Sequence, residues 1–365
     1  MSDTFKIVDL FAGPGGFDVA ARNLGVKVVM GIEWDEDACA TRVAADLRTR
    51  CGDVREFGPT DFPDANVLVG GPPCQTFTVA GSGEGRAALD EVLKFAERYA
   101  EVARIEDFAA IRDELKQLSD DRTGLVLEPL RWALEALLRG TPYQAIILEQ
   151  VPAVLPVWKA FANILWTKGY QVAEPKVLRT EQYGVPQTRR RAIMIARWSG
   201  AGAPLQEEPK LPAPTHCHYS TSLRRDAGDP KLKRWVTMGD VLARRGPFEV
   251  VSNYGTGGDP KARGRRRHDQ PSATVTGKGS RNKLEWNGHK LGEFSLAELG
   301  QLQTFPANYP WRRRNGDDAS VDGVRSVIAQ QIGNAVPPRF GMHVLAAALG
   351  LDAELASALE TSHAG

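Results

Sequence analysis

The sequence predicts an α/β protein with an open, mostly parallel sheet and a second, smaller, loop-rich domain. Apolar, β-branched runs alternate with helical patterns through the first half of the chain. Two of these runs end in glycine and proline, where open sheets place their binding loops. From Trp198 to about Pro306, Gly, Pro and basic residues increase and helical periodicity fades. A chain of 365 residues that is 42% apolar and 25% charged fits one large globular domain plus a smaller one.

The first predicted strand, Phe5 to Phe11, leads into the loop Ala12-Gly-Pro-Gly-Gly16 and a helix from Phe17 to about Leu24. Glycines allow a tight turn and close approach of the backbone to a ligand. A helix N-terminus offers free N–H groups to a carboxylate or phosphate. This order of strand, glycine loop and helix is typical of the cofactor loop in a Rossmann-like sheet, although a glycine-rich turn alone is a weak signal.

A second strand, Val28 to Ile32, ends in Glu33 and Trp34. Glu33 lies 20 residues after Gly13, the spacing at which an acidic residue binds ribose hydroxyls. We expect Trp34 to stack on an adenine and Asp53 to accept a hydrogen bond from its amino group. The alternatives are a surface carboxylate and a packing aromatic, but their adjacency at this spacing favours the functional interpretation.

The strand Asn66 to Val69 runs into Gly70-Gly-Pro-Pro-Cys-Gln75 and so places Cys74 at a rigid strand exit. Taken alone, Cys74 is more often an inert core residue. The glycine-rich stretch from Thr76 to Gly85 is expected to close over a substrate. Residues 87–119 read as a helical insertion with core or lid packing, and 121–139 as a further helix.

A strand at Ala145 to Leu148 ends in Glu149, a second carboxylate at a strand exit. Further on, Arg189 and Arg191 alternate into the strand Ala192 to Ala196, which would place both side chains on one face. That face could grip a phosphate or a carbonyl oxygen; a salt-bridged strand edge is the alternative.

The net charge of +1 conceals an uneven distribution. Residues 197–314 contain 21 Lys and Arg against 11 Asp and Glu, which indicates a polyanion partner for one part of the chain. His216-Cys217-His218 lacks a second ligand pair at finger spacing, so no metal is predicted. Four cysteines without a CxxC motif, no signal pattern and no bilayer-length apolar run predict a cytoplasmic, reduced protein.

Taken together, the motifs resemble those of the DNA cytosine-5 methyltransferases, in family order across residues 9–338. The matching stretches are Asp9-Leu-Phe-Ala-Gly-Pro-Gly-Gly16, Glu33-Trp34, Gly52-Asp-Val54, Gly71-Pro-Pro-Cys-Gln75, Glu149-Gln-Val151, Gln187-Thr-Arg-Arg-Arg191, Gln270-Pro-Ser-Ala-Thr-Val275 and Gly333-Asn-Ala-Val-Pro-Pro338. Each motif is modest alone, whereas the ordered set is specific. Two positions depart from the family pattern: Gln150 replaces the usual Asn, and Thr76 and Thr78 replace Pro and Ser.

The resemblance implies a Rossmann-like S-adenosylmethionine-dependent methyltransferase sheet with a small target-recognition domain. It places the cofactor-binding and catalytic domain at residues 1–197 plus 327–365, and the recognition domain with its return hinge at 198–326. The cofactor would contact a set of residues from the first half of the chain and from the returning motif, namely Phe11, Gly13, Gly15, Gly16, Glu33, Trp34, Asp53, Pro73, Asn334 and Val336.

The chemistry implied by the resemblance needs a cysteine thiolate, because attack at carbon 6 of cytosine makes carbon 5 nucleophilic. Cys74 would attack, and Glu149 would donate to ring nitrogen 3 and accept from the exocyclic amine. Arg191 would bind the base carbonyl and Arg189 the base or the loop. The target base must leave the duplex, at a cost of about a few kcal/mol.

Duplex DNA is the implied partner, with phosphates contacting Lys261, Arg263, Arg265, Arg266, Arg267, Lys278 and Arg281, and base reading between Tyr219 and Arg281. We expect a monomer, with a cognate restriction endonuclease acting separately. Three other functions stay open: an RNA cytosine-5 methyltransferase, an inactive DNA-binding paralogue, and a nicotinamide-dependent oxidoreductase. The last leaves Cys74, Glu149 and the arginines unexplained.

Overall fold

The computed structural model describes residues 4–73, 83–117, 122–201, 203, 207–222, 229–253, 263–315 and 324–351. Thirteen strands in these ranges are β1 (Lys6–Leu10), β2 (Lys27–Glu33), β3 (Thr49–Cys51), β4 (Val67–Gly70), β5 (Ala145–Gln150), β6 (Tyr170–Arg179), β7 (Gln187–Thr188), β8 (Arg190–Trp198), β9 (Glu249–Val251), β10 (Arg265–Arg267), β11 (Ser272–Ala273), β12 (Lys283–Trp286) and β13 (His289–Gly292). Seven of them form one sheet in the order β3-β2-β1-β4-β5-β8-β6.

This large sheet is mostly parallel, as predicted. Strands β1 to β5 pair in parallel, and β8 inserts antiparallel between β5 and β6. The carboxyl ends of β1, β2, β4 and β5 therefore lie along one edge, where an open α/β sheet binds its ligands. The mixed α/β class predicted from the alternating pattern is confirmed.

Eleven helices accompany the strands in the described part of the chain. Their bounds are α1 (Gly16–Asn23), α2 (Glu36–Ala44), α3 (Gly83–Glu101), α4 (Asp107–Leu115), α5 (Arg122–Leu125), α6 (Glu128–Leu138), α7 (Leu155–Thr167), α8 (Met238–Val241), α9 (Leu296–Leu302), α10 (Arg325–Asn334) and α11 (Pro338–Leu349).

Two apolar layers cover the two faces of the large sheet. Alternate residues of β1 illustrate this, since Val8 and Leu10 join the layer beneath α3, α6 and α7, and Ile7 joins the layer beneath α1 and α11. The C-terminal α11 thus packs beside the first helix. Arg197 fixes the end of α11 by donating 2.6 Å hydrogen bonds to the carbonyls of Ala347 and Ala348.

The predicted helix over residues 87–119 is two helices, α3 and α4. The chain turns between them so that the Tyr99 and Phe108 rings meet at 5.6 Å, and both are buried. The core packing expected of this insertion is confirmed by Val92, Phe95 and Ala96, which lie in the layer beneath the sheet. The helix predicted over 121–139 is likewise divided, into α5 and α6. Pro129 stands in the first turn of α6, where proline is tolerated because it lacks an N–H.

The region predicted to be loop-rich contains a small antiparallel sheet in the order β10-β9-β12-β13. Its strands are three or four residues long, too short for a pattern of alternation to reveal. Its apolar face joins a third cluster with α9 and α10 that also includes Val19, Ala45 and Leu47 from the first half of the chain. The cluster that the small sheet joins therefore extends to α1 and to the residues that follow α2. No helix within the described ranges has the length and apolarity to cross a membrane.

Candidate active site

One cavity of about 880 Å³ opens at the carboxyl ends of β1, β2, β4 and β5. It brings together nine of the ten predicted cofactor residues and the three described catalytic candidates. These are Phe11, Gly13, Gly16, Glu33, Trp34, Asp53, Pro73, Asn334 and Val336, together with Glu149, Arg189 and Arg191. Residues far apart in the sequence thus line a single space.

The glycine loop is held in place by Glu33 at the end of β2. The Gly13 N–H donates to Glu33 Oε2 at 2.8 Å, and the N–H groups of Trp34 and Asp35 donate to Glu33 Oε1 at 3.0 and 2.9 Å. Burial raises the pKa of Glu33, and these backbone N–H groups partly oppose that rise. Phe11 and Gly13 adopt positive φ angles of 59° and 53°, so the loop turns sharply at the cavity wall.

Gly15, predicted to contact the cofactor, does not line the cavity. Its φ is 104°, and a Cβ there would lie 2.2 Å from Leu47 Cδ1 and 3.0 Å from the Tyr309 hydroxyl. Gly15 instead allows the loop to pack against these residues. A Cβ on Gly16 would lie 2.2 Å from the Val336 carbonyl. The returning motif therefore closes directly against the glycine loop, as the family resemblance implied.

The adenine-binding residues predicted beyond β2 differ in their freedom to bind a ligand. Trp34 lines the cavity with 55% of its surface exposed, so its ring is available for stacking. Asp53 also lines the cavity, but its carboxylate caps the N–H of Arg55 at 2.9 Å and pairs with the Arg55 guanidinium at 2.6 Å. Burial pushes the pKa of Asp53 up, and the Arg55 hydrogen bonds outweigh it and hold the pKa below its ordinary value.

Glu149 and Arg191 form the polar end of the cavity. Arg191 Nε lies 2.7 Å from Glu149 Oε1 as an ion pair, and this oxygen is buried. Glu149 is 5% exposed. Burial lowers the pKa of Arg191, and the Glu149 charge counteracts the change. A buried acceptor oxygen next to a cation suits a planar ligand with both donor and acceptor groups.

Arg189 lies just before β8, which begins at Arg190, so Arg189 and Arg191 are not simply alternate residues of one strand. Arg189 is 2% exposed, and its Nη1 donates to the carbonyls of Val275 and Gly333 at 3.1 and 3.0 Å. Burial lowers the pKa of Arg189 well below its usual range, and Arg191 lowers it further. Arg189 thus joins the segment that follows β11 to the end of α10.

A buried amide pair beside Arg189 is a feature that the sequence analysis missed. Gln187 Nε2 donates to Gln303 Oε1 at 2.6 Å, and Gln187 Oε1 accepts from the Val275 N–H at 3.0 Å. Gln303 in turn donates to the Ile332 carbonyl at 2.6 Å. Both glutamines are fully buried. A glutamine between apolar residues, as in Leu302-Gln303-Thr-Phe305, is the sequence signal that could have revealed the second one.

Cys74 lies outside the described residues, as does the predicted closing loop up to Ser82. The residues that lead to Cys74 are described. The Gly71 backbone approaches Glu149, since a Cβ there would lie 3.6 Å from Glu149 Oε2. Gln150 Nε2 donates to the Pro72 carbonyl at 2.5 Å, and Gln150 Oε1 accepts from the Val151 N–H. The residue that departs from the family pattern is thus a direct brace between β5 and the segment that leads to Cys74.

Asp9, at the end of β1, is a cavity residue to which the sequence analysis gave no role. It is 2% exposed, and its Oδ2 is buried without a hydrogen-bond partner among the described residues. Burial raises the pKa of Asp9 well above its ordinary value, and the neighbouring carboxylate of Asp18 adds to the rise. The Asp18 carboxylate is itself paired with Arg42 at 2.7 Å. An unpaired carboxyl oxygen facing a cavity is suited to a cationic ligand.

The arginines and lysines predicted to bind DNA differ in whether they form ion pairs with carboxylates. Arg265 is 45% exposed, but it forms ion pairs with Glu249 and Glu285. The Arg267 guanidinium lies 3.5 Å from Asp269 and 5.8 Å from the centre of the Trp286 ring. Arg263, Lys278 and Arg281 have no ion pair within the described ranges, and Lys261 lies outside them. Some of the cations predicted to bind DNA are therefore already paired with carboxylates. No group of three His, Cys, Asp or Glu suited to a metal occurs in the described part.

Comparison with known proteins agrees with this architecture. The family model of the C-5 cytosine-specific DNA methylases matches residues 5–101 and 115–349. The type II methyltransferase M.HaeII of Haemophilus aegyptius is 26% identical over 346 residues, covering 90% of this chain and 93% of that protein. M1.HphI of Haemophilus parahaemolyticus is 25% identical, covering 94% and 87%. The S. pombe Dnmt2 methyltransferase structure has the same fold, with a TM-score of 0.60 at 14% identity, covering 95% of this chain and 98% of that one.

The fold is that of a Rossmann-like α/β protein, and in its site a glycine loop and an acid–arginine pair line one cavity. With the family model matching most of its length, the chain belongs to the C-5 cytosine-specific DNA methylases. It is therefore a DNA cytosine-5 methyltransferase.

Proposed function

We propose that the protein methylates carbon 5 of cytosine at a specific site in duplex DNA, with S-adenosylmethionine as donor, as part of a restriction–modification pair. The observation that carries the proposal is the shared cavity. Its glycine-loop end is lined by Phe11 and Gly13, and its polar end by Glu149 and Arg191. A methyl donor bound at one end and a base inserted at the other would meet in the same space.

The residues present fit S-adenosylmethionine. The unpaired Oδ2 of Asp9 suits a ligand that carries an ammonium and a sulfonium, and Glu33 would bind the ribose hydroxyls of that ligand. The exposed Trp34 ring offers a stacking surface for adenine, beside Asp53. Pro73, Asn334 and Val336 would complete the walls. When bound, the cofactor supplies an electrophilic methyl group.

In the proposed mechanism, Cys74 adds to carbon 6 of a cytosine that has left the duplex, and the electrons displaced reach ring nitrogen 3. Glu149 carries a proton to nitrogen 3 and offsets the charge that the addition creates. Arg191 holds Glu149 and binds the base carbonyl, because its guanidinium lies beside that carboxylate. Arg189 fixes the wall behind them through Val275 and Gly333. After methyl transfer, loss of the carbon-5 proton allows Cys74 to leave.

Duplex DNA would lie against the small sheet, with phosphates held by Lys261, Arg263, Arg266, Lys278 and Arg281, and with weaker contributions from Arg265 and Arg267 because carboxylates pair with them. We propose that the enzyme acts as a cytoplasmic monomer and that its cognate endonuclease acts separately. The relatives support this pairing, since M.HaeII and M1.HphI are named type II methyltransferases.

Cytosine-conversion sequencing tests the proposal. DNA from a methylation-free host that expresses this chain should show protected cytosines in one short motif. The Cys74→Ala variant should show none. The Glu149→Gln variant keeps the shape of the side chain but lacks the titratable proton, and should lower the rate of methylation by about 10²-fold or more.

Each result has a defined consequence. Protection that persists in Cys74→Ala would remove the covalent mechanism. Unprotected DNA, from a wild-type protein that binds S-adenosylmethionine by calorimetry, would contradict the DNA substrate, and transfer RNA would then be assayed for methylation.

A further inference from the structure

Two arginines lie directly opposite each other at the end of the large sheet that adjoins the cavity. In the antiparallel pairing of β6 with β8, Arg179 is the register partner of Arg190. The next pair along the strands joins Leu178 to Arg191, the residue that contacts Glu149. Like charges placed opposite each other on neighbouring strands destabilise a sheet. The pair therefore lowers the free energy of unfolding, and a function that needs both charges would explain its presence.

This pair has little counter-charge in the described part of the protein. Arg190 is exposed and Arg179 half-buried, and neither guanidinium forms a hydrogen bond or ion pair with a described residue. Glu181, two residues after Arg179, is the nearby carboxyl group. It is 3% exposed, and its Oε2 has no hydrogen-bond partner in the described ranges. Burial raises the pKa of Glu181, although Arg179, Arg190 and Arg266 all oppose the rise. The carboxyl is thus a weak counter-charge for three guanidinium groups.

The third guanidinium comes from the small sheet. Arg266 points to the face of β10 opposite that of Arg265, because successive residues of a strand alternate. Its guanidinium carbon lies 4.7 Å from the centre of the Tyr219 ring, and its Nη1 is buried without a hydrogen-bond partner in the described residues. The Tyr219 ring is fixed edge-on against Trp235 at 5.4 Å. An aromatic platform of this kind fixes the orientation of the guanidinium.

We propose that Arg179, Arg190 and Arg266 form a phosphate-binding cluster that holds the backbone of the target DNA. The cluster joins the catalytic sheet to the small sheet, so a bound strand would bridge the two. Because successive residues of a strand alternate, Arg179 and Arg190 lie on the face of the sheet opposite that of Leu178 and Arg191. Planar guanidinium groups suit phosphate oxygens because they can donate two parallel hydrogen bonds. The inference rests on the proposed function, since it names the part of the DNA that this site holds.

The test measures the salt dependence of binding to a fluorescently labelled 30-base-pair duplex. The variants are Arg179→Ala, Arg190→Ala and the double variant. The control is Lys27→Ala, which removes one positive charge from an exposed residue at the amino end of β2, whereas the cavity lies at the carboxyl ends of these strands. Each phosphate contact contributes roughly 0.9 to the slope of log K against log salt. The double variant should therefore lower the slope by about two and weaken binding at 0.1 M salt by about 10- to 100-fold.

A second measurement separates binding from folding. Removing one member of a like-charged pair should leave the melting temperature of the free protein unchanged or raise it, and cofactor affinity should not change. If the double variant kept the wild-type salt slope, or if Lys27→Ala lowered the slope by the same amount, the proposed phosphate-binding cluster would be contradicted. The proposed function would not be affected. A wild-type protein that binds no duplex at any salt concentration would overturn the proposed function as well, so the two failures are distinguishable.

Discussion

Gln150 donates a hydrogen bond of 2.5 Å to the carbonyl of Pro72, across 78 positions of sequence. The amide that binds Pro72 belongs to the residue directly after Glu149. One side chain thereby connects the segment that leads to the proposed nucleophile with the strand that carries the proposed acid.

Shortening or removing this amide should impair catalysis more than binding. Gln150→Leu leaves the Pro72 carbonyl without its donor, so the segment before Cys74 loses its brace and the thiol is less well aligned with the base. We expect kcat to fall about 10- to 100-fold with little change in the dissociation constant of the cofactor. Gln150→Asn, the residue usual in the family, should retain more activity than Gln150→Leu. Equal rates in the wild type and the two variants would contradict the role of the Gln150 hydrogen bond in aligning Cys74.

Tyr309 connects the chain beyond the small sheet to the glycine loop. Its hydroxyl donates to the Pro14 carbonyl, and its ring packs against Phe305 and Trp311 at 4.7 and 4.8 Å. Tyr309→Phe keeps the ring and removes only the hydrogen bond, at a cost of about 1 kcal/mol. We expect cofactor affinity to fall about threefold to tenfold, as measured by calorimetry. A tenfold loss of DNA affinity with unchanged cofactor affinity would contradict the link between Tyr309 and cofactor binding.

Asp9 should make stability depend on pH in the free protein. Its pKa is raised well above the ordinary 3.8 in the folded state, mainly by burial, so the folded protein keeps a proton that the unfolded chain has lost. The free energy of unfolding therefore falls as pH rises from about the ordinary Asp pKa towards the folded one. Asp9→Asn mimics the protonated side chain and should raise the melting temperature more at pH 8 than at pH 4.

The same substitution should have the reverse effect on ligand binding. A bound cation favours the ionised form of Asp9, and Asp9→Asn cannot ionise, so S-adenosylmethionine should bind more weakly although the free protein is more stable. Calorimetric titration at pH 8 measures this. A variant that binds the cofactor as well as the wild type would show that Asp9 does not contact its charged groups.

Cys39 and Cys51 should differ sharply in reactivity. Cys39 is buried and donates from Sγ to the Glu33 carbonyl at 3.2 Å, whereas Cys51 is exposed. Burial raises the pKa of the Cys39 thiol well above its ordinary value, and the neighbouring Cys51 adds to the rise. At pH 8, iodoacetamide should label Cys51 and spare Cys39, as read by peptide mass spectrometry. Labelling of both at equal rates would mean that α2 opens readily.

Much of the site was predictable from the sequence because its motifs are local. The glycine loop, Glu33 and Trp34 follow strands whose apolar runs are continuous, and Gly13, Gly16, Glu33 and Trp34 line the cavity in the structure. The helix breaks near residues 102 and 126 were not predicted, since the apolar spacing continues across both. Packing of Tyr99 on Phe108 and the placement of Pro129 decide them.

By itself, the sequence determined the α/β class, the order of the motifs and the chemical types that meet in the cavity, because strand periodicity and glycine or proline punctuation act over a few residues. Only the tertiary structure decided which charges are free. Arg265 is neutralised by carboxylates from two other strands of the small sheet, whereas Arg179 and Arg190 face each other with no ion pair among the described residues. Charge pairing depends on register and on side-chain direction across strands distant in sequence, and no local pattern encodes either.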